Sequence, residues 1–179
     1  NDPGYIKAYP PGIRENGGQY SHAAAWLAMA FAKIGDPDKA YAIFNMINPV
    51  TRSDEGGRAE HYRLEPYAVA GDISANNDHR GRGGWSWYTG AAGWAWQLAT
   101  HSILGLKKTE GRLVIDPCIP KTWGVYNATM RVKKGLISIR VEDPAGIGCG
   151  DVKLTVNGQP HAGNSIPLPE QGATIEVVA

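Results

Sequence analysis

The stretch GRGGWSWYTGAAGW, residues 81–94, joins a glycine-rich loop that carries three aromatic residues to an apolar segment that continues to residue 104. Thr89 and Gly90 stand where that segment begins. Glycines permit tight turns, and the first turn of a helix offers unpaired N–H groups that suit an anion. Aromatic rings suit the apolar face of a sugar. The stretch therefore predicts a sugar site beside a phosphate site.

Three strongly apolar helices are predicted around this loop, over residues 21–34, 38–47 and 90–104. Ser21 is the expected N-cap of the first, and Gly35 followed by Pro37 is its stop. The first and third are apolar on several faces, which is typical of helices packed on more than one side. The short join between the first two predicts an antiparallel hairpin. A shorter helix is predicted within residues 64–73, and residues 51–62 and 76–87 are predicted to be loops.

Beyond Lys107 the pattern changes to short β-branched stretches separated by Gly, Pro and Asn turns. Alternating side chains favour strands near residues 114–115, 130–132, 136–141, 152–156 and 174–178. We therefore expect an α+β chain. Residues 1–108 would be an incomplete part of an α/α barrel, and residues 109–179 a small antiparallel, sandwich-like β domain.

Composition excludes several classes of function. The net charge of +1 over 179 residues gives no electrostatic footprint for nucleic acid or an anionic membrane. The apolar run 23–32 is too short to span a bilayer. Cys118 and Cys149 are expected to be free thiols in a reducing compartment, with an isolated bridge as the alternative. No signal peptide or initiator Met is visible, so we expect a cytoplasmic chain that is a fragment or processed product.

A second loop, ENGGQYSH at residues 15–22, has the same arrangement of glycines, aromatics and a polar residue before an apolar helix. If the two helices are adjacent, His22, Thr89 and the Gly90 amide converge on one anion. The alternative is that Thr89 is only an N-cap and His22 a satisfied, buried side chain.

Other chemistries lack the residue spacing they need. No strand precedes the glycines at 81 and 83, and the phosphate-loop Lys is missing, so a nucleotide loop is not predicted. His22, His61 and His79 are not at ligand spacing, so we expect no metal. The Cys residues have no nearby His, and no nucleophile elbow occurs. We expect no cofactor, with inorganic phosphate as a co-substrate.

The candidate acid/base residues are four carboxylates in or beside the loops of the helical half: Glu15, Glu65, Asp72 and Asp78. Enzymes that hydrolyse glycosides need a carboxylic acid for the leaving oxygen and a second carboxylate for water or covalent attack. Phosphate is already an anionic nucleophile, so a phosphate-using site needs only one acid. The alternative for each carboxylate is a solvated or ion-paired loop residue.

Six segments occur in an order that resembles the C-terminal third of the inverting glycoside phosphorylases of glycoside hydrolase family 94. They are GIRENGGQYSHAAAW, INP, YRLEPYAVAGDI, GRGGWSWYTGAAGW, ILGL and LVIDPCIPKTW. Within that family the chain looks closest to the phosphorylase-like domain of cyclic β-1,2-glucan synthases. The resemblance implies the last helices of an (α/α)6 barrel, a small β domain, and phosphorolysis of a β-glucosidic bond to an α-sugar 1-phosphate.

The resemblance also implies roles for individual residues. His22, Thr89 and Gly90 correspond to the family's phosphate-binding residues. Residues in segments that line the sugar subsites are Glu15, Gln19, Tyr20, Trp85 and Tyr88. The family's general acid, an Asp, and a phosphate-binding Arg precede this region and have no match here. No catalytic residue is therefore expected in this chain, and the isolated chain is expected to be inactive.

The leading hypothesis is thus a part of a β-glucoside phosphorylase. Its expected partners are a β-linked glucose oligosaccharide or glucan, phosphate and the remainder of the parent chain, with no nucleic acid and a homodimer left open. The alternative is a non-catalytic carbohydrate-binding or structural domain of a larger glucan-active protein. The parent is expected in the cytoplasm, with attachment to the inner membrane through other domains left open.

Overall fold

The computed structural model describes residues 1–54, 57–87, 89–132, 135–170 and 173–179. The chain divides into two compact units. The first contains residues 1–31 and 39–99, and the second contains residues 32–38 and 100–179. Helices and β-sheets are both present, so the predicted α+β class is confirmed. The α/α barrel, the helical hairpin and the division into domains at residue 108 stay predictions.

The helices of the described residues are α1 (Ser21–Lys33), α2 (Pro37–Ile47), α3 (Arg58–Tyr62) and α4 (Thr89–Gln97). A π-helical stretch, Leu98–Ile103, follows α4 directly, and short 3-10 helices lie at Gly4–Ala8 and Asn77–His79. The three predicted apolar helices are confirmed. The third is α-helical only to Gln97, because the chain changes to wider turns from Leu98 onward.

Local signals account for the break between α1 and α2. Gly35 has a φ of +77°, a left-handed conformation that glycine adopts without strain, and its N–H donates to the Ala32 carbonyl at 3.1 Å. Pro37 is the first residue of α2, where its missing N–H costs nothing. The predicted capping role of Ser21 is wrong. Its buried hydroxyl has no hydrogen-bond partner among the described residues, whereas its N–H donates to the Gly71 carbonyl.

Two other sequence predictions are wrong in the first unit. Residues 64–73 form turns and end in a strand instead of a helix, because backbone pairing of residues 72–73 with distant segments outweighs the local helical pattern. Within the predicted loop 51–62, residues Arg58–Tyr62 form α3, which packs the fully buried Tyr62 ring into the unit. The Tyr62 hydroxyl donates to the Ala68 carbonyl at 3.1 Å.

A small antiparallel sheet ties three loops of the first unit together. Its strands are β1 (Gln19–Tyr20), β2 (Asp72–Ile73) and β3 (Gly83–Gly84), in the order β1-β2-β3. Gln19 pairs with Ile73, and Ile73 pairs in turn with Gly83. These pairings hold the two glycine-rich loops on opposite sides of β2.

The second unit contains two sheets. The strands β4 (Leu106–Thr109), β5 (Arg112–Ile115) and β10 (Ser165–Pro167) form one sheet in the order β10-β5-β4. The other has the order β6-β7-β11-β8-β9. Its strands are β6 (Val125–Val132), β7 (Gly135–Glu142), β8 (Leu154–Val156), β9 (Gln159–His161) and β11 (Thr174–Val178).

Both sheets of the second unit contribute to one apolar core. Leu113 and Ile166 come from the smaller sheet, and Ile137, Ile139 and Val177 come from the larger. The prediction of a wholly antiparallel β domain is wrong at one place. Strand β11 runs parallel to β7 while pairing antiparallel with β8, so the last strand lies between two hairpins.

Candidate functional site

The start of α4 lies against His22, the second residue of α1. A Cβ placed on Gly90 would be 2.7 Å from His22 Nε2, closer than real Cβ atoms approach, and 3.2 Å from its Cε1. A larger residue than glycine would therefore require the His22 ring to shift. The structure brings two of the predicted phosphate-binding residues together, and Thr89 occupies the adjoining first position of α4.

Aromatic rings surround the His22 side chain. Its ring centroid is 5.5 Å from that of Tyr20 and 6.4 Å from that of Trp26, and Trp26 meets Trp94 edge to face at 5.4 Å. His22 Nδ1 is buried and has no hydrogen-bond partner among the described residues. A buried imidazole nitrogen without a partner costs free energy, so this atom is a candidate contact for a ligand.

The nine-residue α4 also supplies an electrostatic reason for an anion at this place. The first N–H groups of a helix have no partner within it, and the helix dipole puts a partial positive charge there. Thr89 and Gly90 are both exposed. The His22 ring lies beside these backbone groups, and the start of a helix is a general place for anion binding.

Arg14 and Trp85 form the second part of the site. The Arg14 guanidinium carbon lies 3.2 Å from the centre of the Trp85 ring, which is a close cation–π contact. Arg14 is only 7% exposed, and Asp72, its partner, is 3% exposed. Arg14 Nη1 is 3.8 Å from Asp72 Oδ1, and the Arg14 backbone N–H donates to Asp72 Oδ2 at 3.1 Å. The Arg14 side chain of this buried pair covers one face of the indole, and Trp85 as a whole stays 48% exposed.

The predicted sugar-site residues are distributed unevenly. Glu15 adjoins Arg14, with its Oε2 4.0 Å from Arg14 Nε. Tyr20 is half-buried beside His22. Gln19 is exposed, and its side-chain amide donates to the Tyr20 carbonyl at 3.0 Å. The prediction for Tyr88 falls outside the described residues.

Gln19 also lines a cleft of about 980 Å³ within the first unit. Apolar side chains of α1 and α2 form one part of the lining, and its polar members include Arg52, His61 and Arg80. Neither His22 nor Trp85 belongs to that lining. Gln19 therefore contacts Tyr20 and also faces a cleft whose lining does not include Trp85.

Trp87 and Glu65 form a third contact near the loop. Trp87 Nε1 donates to Glu65 Oε1 at 2.9 Å, and the Tyr67 ring meets the Trp87 ring at 5.9 Å. Both Trp85 and Trp87 adopt left-handed backbone angles, with φ of +55° and +66°. Bulky residues rarely adopt such angles, and the strain that they store clusters at functional sites.

The carboxylates considered as acids are poorly suited to that role. The indole hydrogen bond lowers the pKa of the Glu65 carboxyl, whereas a general acid at neutral pH needs a raised pKa. Asp72 is buried against Arg14 and accepts a backbone N–H. Asp78 is exposed, and Glu15 lies beside a guanidinium. That none of the four donates the catalytic proton stays a prediction.

The sequence did not indicate a role for Arg14 or Tyr67, or the hydrogen bond from Trp87 to Glu65. Arg14 lies in a turn with a φ of +51°, and no periodic pattern marks it as buried. The available signal was a charged pair, Arg14 and Glu15, separated from two glycines by Asn16 alone.

No group of His, Cys, Asp or Glu side chains in the described parts of the chain could hold a metal ion. Within the same residues, every helix is too short or too polar to cross a membrane.

Comparison with known proteins identifies the group to which these features point. Residues 1–105 match the model of the glycosyl hydrolase 94 superfamily, catalytic domain. The chain is 46% identical over 164 residues to the cyclic beta-(1,2)-glucan synthase NdvB of Rhizobium meliloti, covering 90% of this chain and 6% of that protein. It is 33% identical over 180 residues to the N,N'-diacetylchitobiose phosphorylase of Vibrio proteolyticus, covering 99% and 22%.

A further relative is the solabiose phosphorylase of Paenibacillus borealis, 30% identical over 175 residues, with 96% of this chain and 22% of that protein covered. The chain thus spans between 6% and 22% of the length of these three relatives. Among solved structures, a family GH92 alpha-mannosidase from Bacteroides thetaiotaomicron covers 96% of this chain and 18% of its own. Its TM-score of 0.36 at 11% identity carries no argument about fold.

Proposed function

Because this chain belongs to the glycosyl hydrolase 94 superfamily, we propose that it is part of an inverting glycoside phosphorylase that acts on β-glucosides. The observation that carries the proposal is the contact between Gly90, at the start of α4, and His22, whose buried Nδ1 has no partner among the described residues. Relatives named as phosphorylases support it. The helical part then belongs to an α/α barrel that the rest of the parent completes.

In the proposed reaction, phosphate is both ligand and nucleophile. The start of α4 and the His22 ring hold it, with N–H groups of the helix directed at its oxygens. A phosphate oxygen attacks the anomeric carbon while the glycosidic C–O bond breaks on the opposite face. Inversion therefore converts a β-glucoside into an α-sugar 1-phosphate. The leaving oxygen takes its proton from a general acid elsewhere in the parent.

The same site would hold the sugar through an aromatic wall. Trp85, backed by Arg14, offers its outer face to a pyranose ring, and Glu15 can accept hydrogen bonds from hydroxyl groups. Tyr20, Gln19 and Tyr88 remain proposed members of this wall. The expected partners are a β-linked glucose oligosaccharide, phosphate and the remainder of the parent chain. A charged sugar phosphate does not cross a membrane unaided, which favours a cytoplasmic reaction.

Phosphate dependence in the full-length parent tests the proposal. Cleavage of β-glucosides should require inorganic phosphate and yield one α-sugar 1-phosphate per bond broken. His22→Ala and Thr89→Ala should raise the KM for phosphate more than the KM for the sugar. Equal cleavage rates with and without phosphate would indicate a hydrolase instead.

The second candidate is a non-catalytic carbohydrate-binding domain, favoured by the exposure of the Trp85 and Trp87 rings. Calorimetric titration of the parent with oligoglucans, with and without phosphate, separates the two. A binding module shows affinity for the sugar that phosphate does not change, and no product forms.

A further inference from the structure

Trp87 has no role in the proposed phosphate and sugar contacts, yet its geometry is fixed in three ways. Its indole N–H donates to Glu65 Oε1 at 2.9 Å, and the Tyr67 ring packs against it at 5.9 Å with an interplanar angle of 64°. Its backbone is left-handed. Trp87 is nevertheless 64% exposed, and Tyr67 is 71% exposed. A large aromatic pair is thus held in place while remaining open.

Such an arrangement costs folding free energy, which indicates a function that maintains it. A bulky residue in the left-handed region costs about 1–3 kcal/mol, and Trp85 carries the same strain two positions earlier. The exposed rings gain little from burial in return. The surrounding structure holds two exposed tryptophans in strained backbone conformations. This is typical of a preorganised binding surface.

The chemistry of this surface matches a pyranose. The C–H face of the sugar stacks on an indole, and the sugar hydroxyl groups need polar acceptors close to that indole. Glu65 Oε1 accepts the indole N–H, which lowers the pKa of the carboxyl, so the carboxylate holds the ring edge in place. Two residues of chain span at most about 7 Å, so the backbones that present Trp85 and Trp87 are close enough to serve one oligosaccharide.

We propose that Trp87 and Tyr67 form a second sugar subsite, which takes an additional glucose unit of a β-linked oligosaccharide whose neighbouring unit lies at Trp85. Glu65 is a positioning residue that holds the indole. This inference rests on the proposed function and adds that the substrate is longer than a disaccharide.

The test compares a disaccharide with a pentasaccharide of the same linkage in phosphorolysis by the full-length parent. Glucose oligomers with β-1,2, β-1,3 and β-1,4 linkages serve as probes. Trp87→Ala should raise the KM for the pentasaccharide roughly three- to tenfold and leave the KM values for the disaccharide and phosphate unchanged. Trp87→Phe keeps a stacking ring and should lose less.

Trp96→Ala is the matched control, because Trp96 is 58% exposed and lies on α4 instead of in the loop. It should not alter the ratio of the two KM values. Glu65→Ala should reproduce part of the Trp87→Ala effect. Glu65→Gln keeps an acceptor for the indole and should therefore retain the wild-type KM for the pentasaccharide. A purely structural role for Glu65 would change both substrates together.

An equal effect of Trp87→Ala on both substrates, or none on either, overturns the subsite. If the wild-type parent phosphorolyses no probe, the proposed function fails instead. The subsite is then judged by calorimetric binding of the same pentasaccharides. Weaker binding by Trp87→Ala than by Trp96→Ala supports it, and equal binding overturns it.

Discussion

Replacing Gly90 by alanine tests whether His22 and the start of α4 act as one phosphate-binding unit. The added Cβ would lie 2.7 Å from His22 Nε2, whereas ordinary contacts begin at 3.4 Å. The imidazole must therefore move by about 0.7 Å, the difference between those two distances. The change is small enough for the helix to survive and large enough to disturb a hydrogen bond.

The size of the effect follows from hydrogen-bond geometry. A bond of about 2.9 Å lengthened by that shift reaches roughly 3.6 Å, beyond hydrogen-bonding distance. Hydrogen bonds to a charged group contribute about 1.5–3 kcal/mol. Losing one bond to phosphate should thus raise the KM for phosphate roughly tenfold to a hundredfold. The KM for the sugar should change much less.

Gly93→Ala is the control, because it makes the same substitution in the same helix and its Cβ would meet no atom within 4 Å. Alanine is favoured over glycine inside a helix by up to about 1 kcal/mol, so Gly93→Ala should not melt at a lower temperature. Initial rates of phosphorolysis, measured against phosphate concentration, give the KM for phosphate of each variant. If Gly90→Ala and Gly93→Ala share the wild-type KM for phosphate, the reasoning about His22 is refuted.

A buried charge, a buried thiol and the β core each give a further measurable outcome. Asp72→Ala removes the buried carboxylate beside Arg14 and leaves that guanidinium the more exposed Glu15, so urea titration should show a loss of about 3–5 kcal/mol in the free energy of unfolding. A loss below about 1 kcal/mol would contradict this. Burial raises the pKa of Cys118 to about 12, so near neutral pH that thiol stays protonated and iodoacetamide should label Cys149 first. Mass spectrometry showing equal labelling would count against it. Ile137→Ala should cost about 2–5 kcal/mol because the side chain is fully buried, and Ile137→Val only about 0.5–1.5.

Local signals predicted the parts of the fold that local interactions determine. Gly35 and Pro37 mark the break between α1 and α2, and alternation marks β7, because these features depend on nearby residues. The three two-residue strands could not be predicted. Gly83 and Gly84 have no strand propensity and pair only because β2, a distant segment, lies beside them.

One part of the candidate site could likewise be predicted from nearby residues, and another part could not. The similar helix starts at His22 and Gly90 indicated that the two could converge, and the structure places them in contact. Their role in binding phosphate stays a prediction. Arg14 was not predicted, because its burial against Trp85 and Asp72 depends on three loops that meet through β2. A side chain whose surroundings come from distant segments leaves little trace in the sequence near it.

The central position of β11 has a consequence for biosynthesis. The ribosome delivers Thr174–Val178 after every other strand of its sheet, yet this strand is the one that joins the β6-β7 hairpin to the β8-β9 hairpin. Isolated two-stranded hairpins are marginal in water. The nascent unit must therefore wait, with its apolar faces open, until residue 178 emerges. During that interval its exposed apolar surface can associate with other chains.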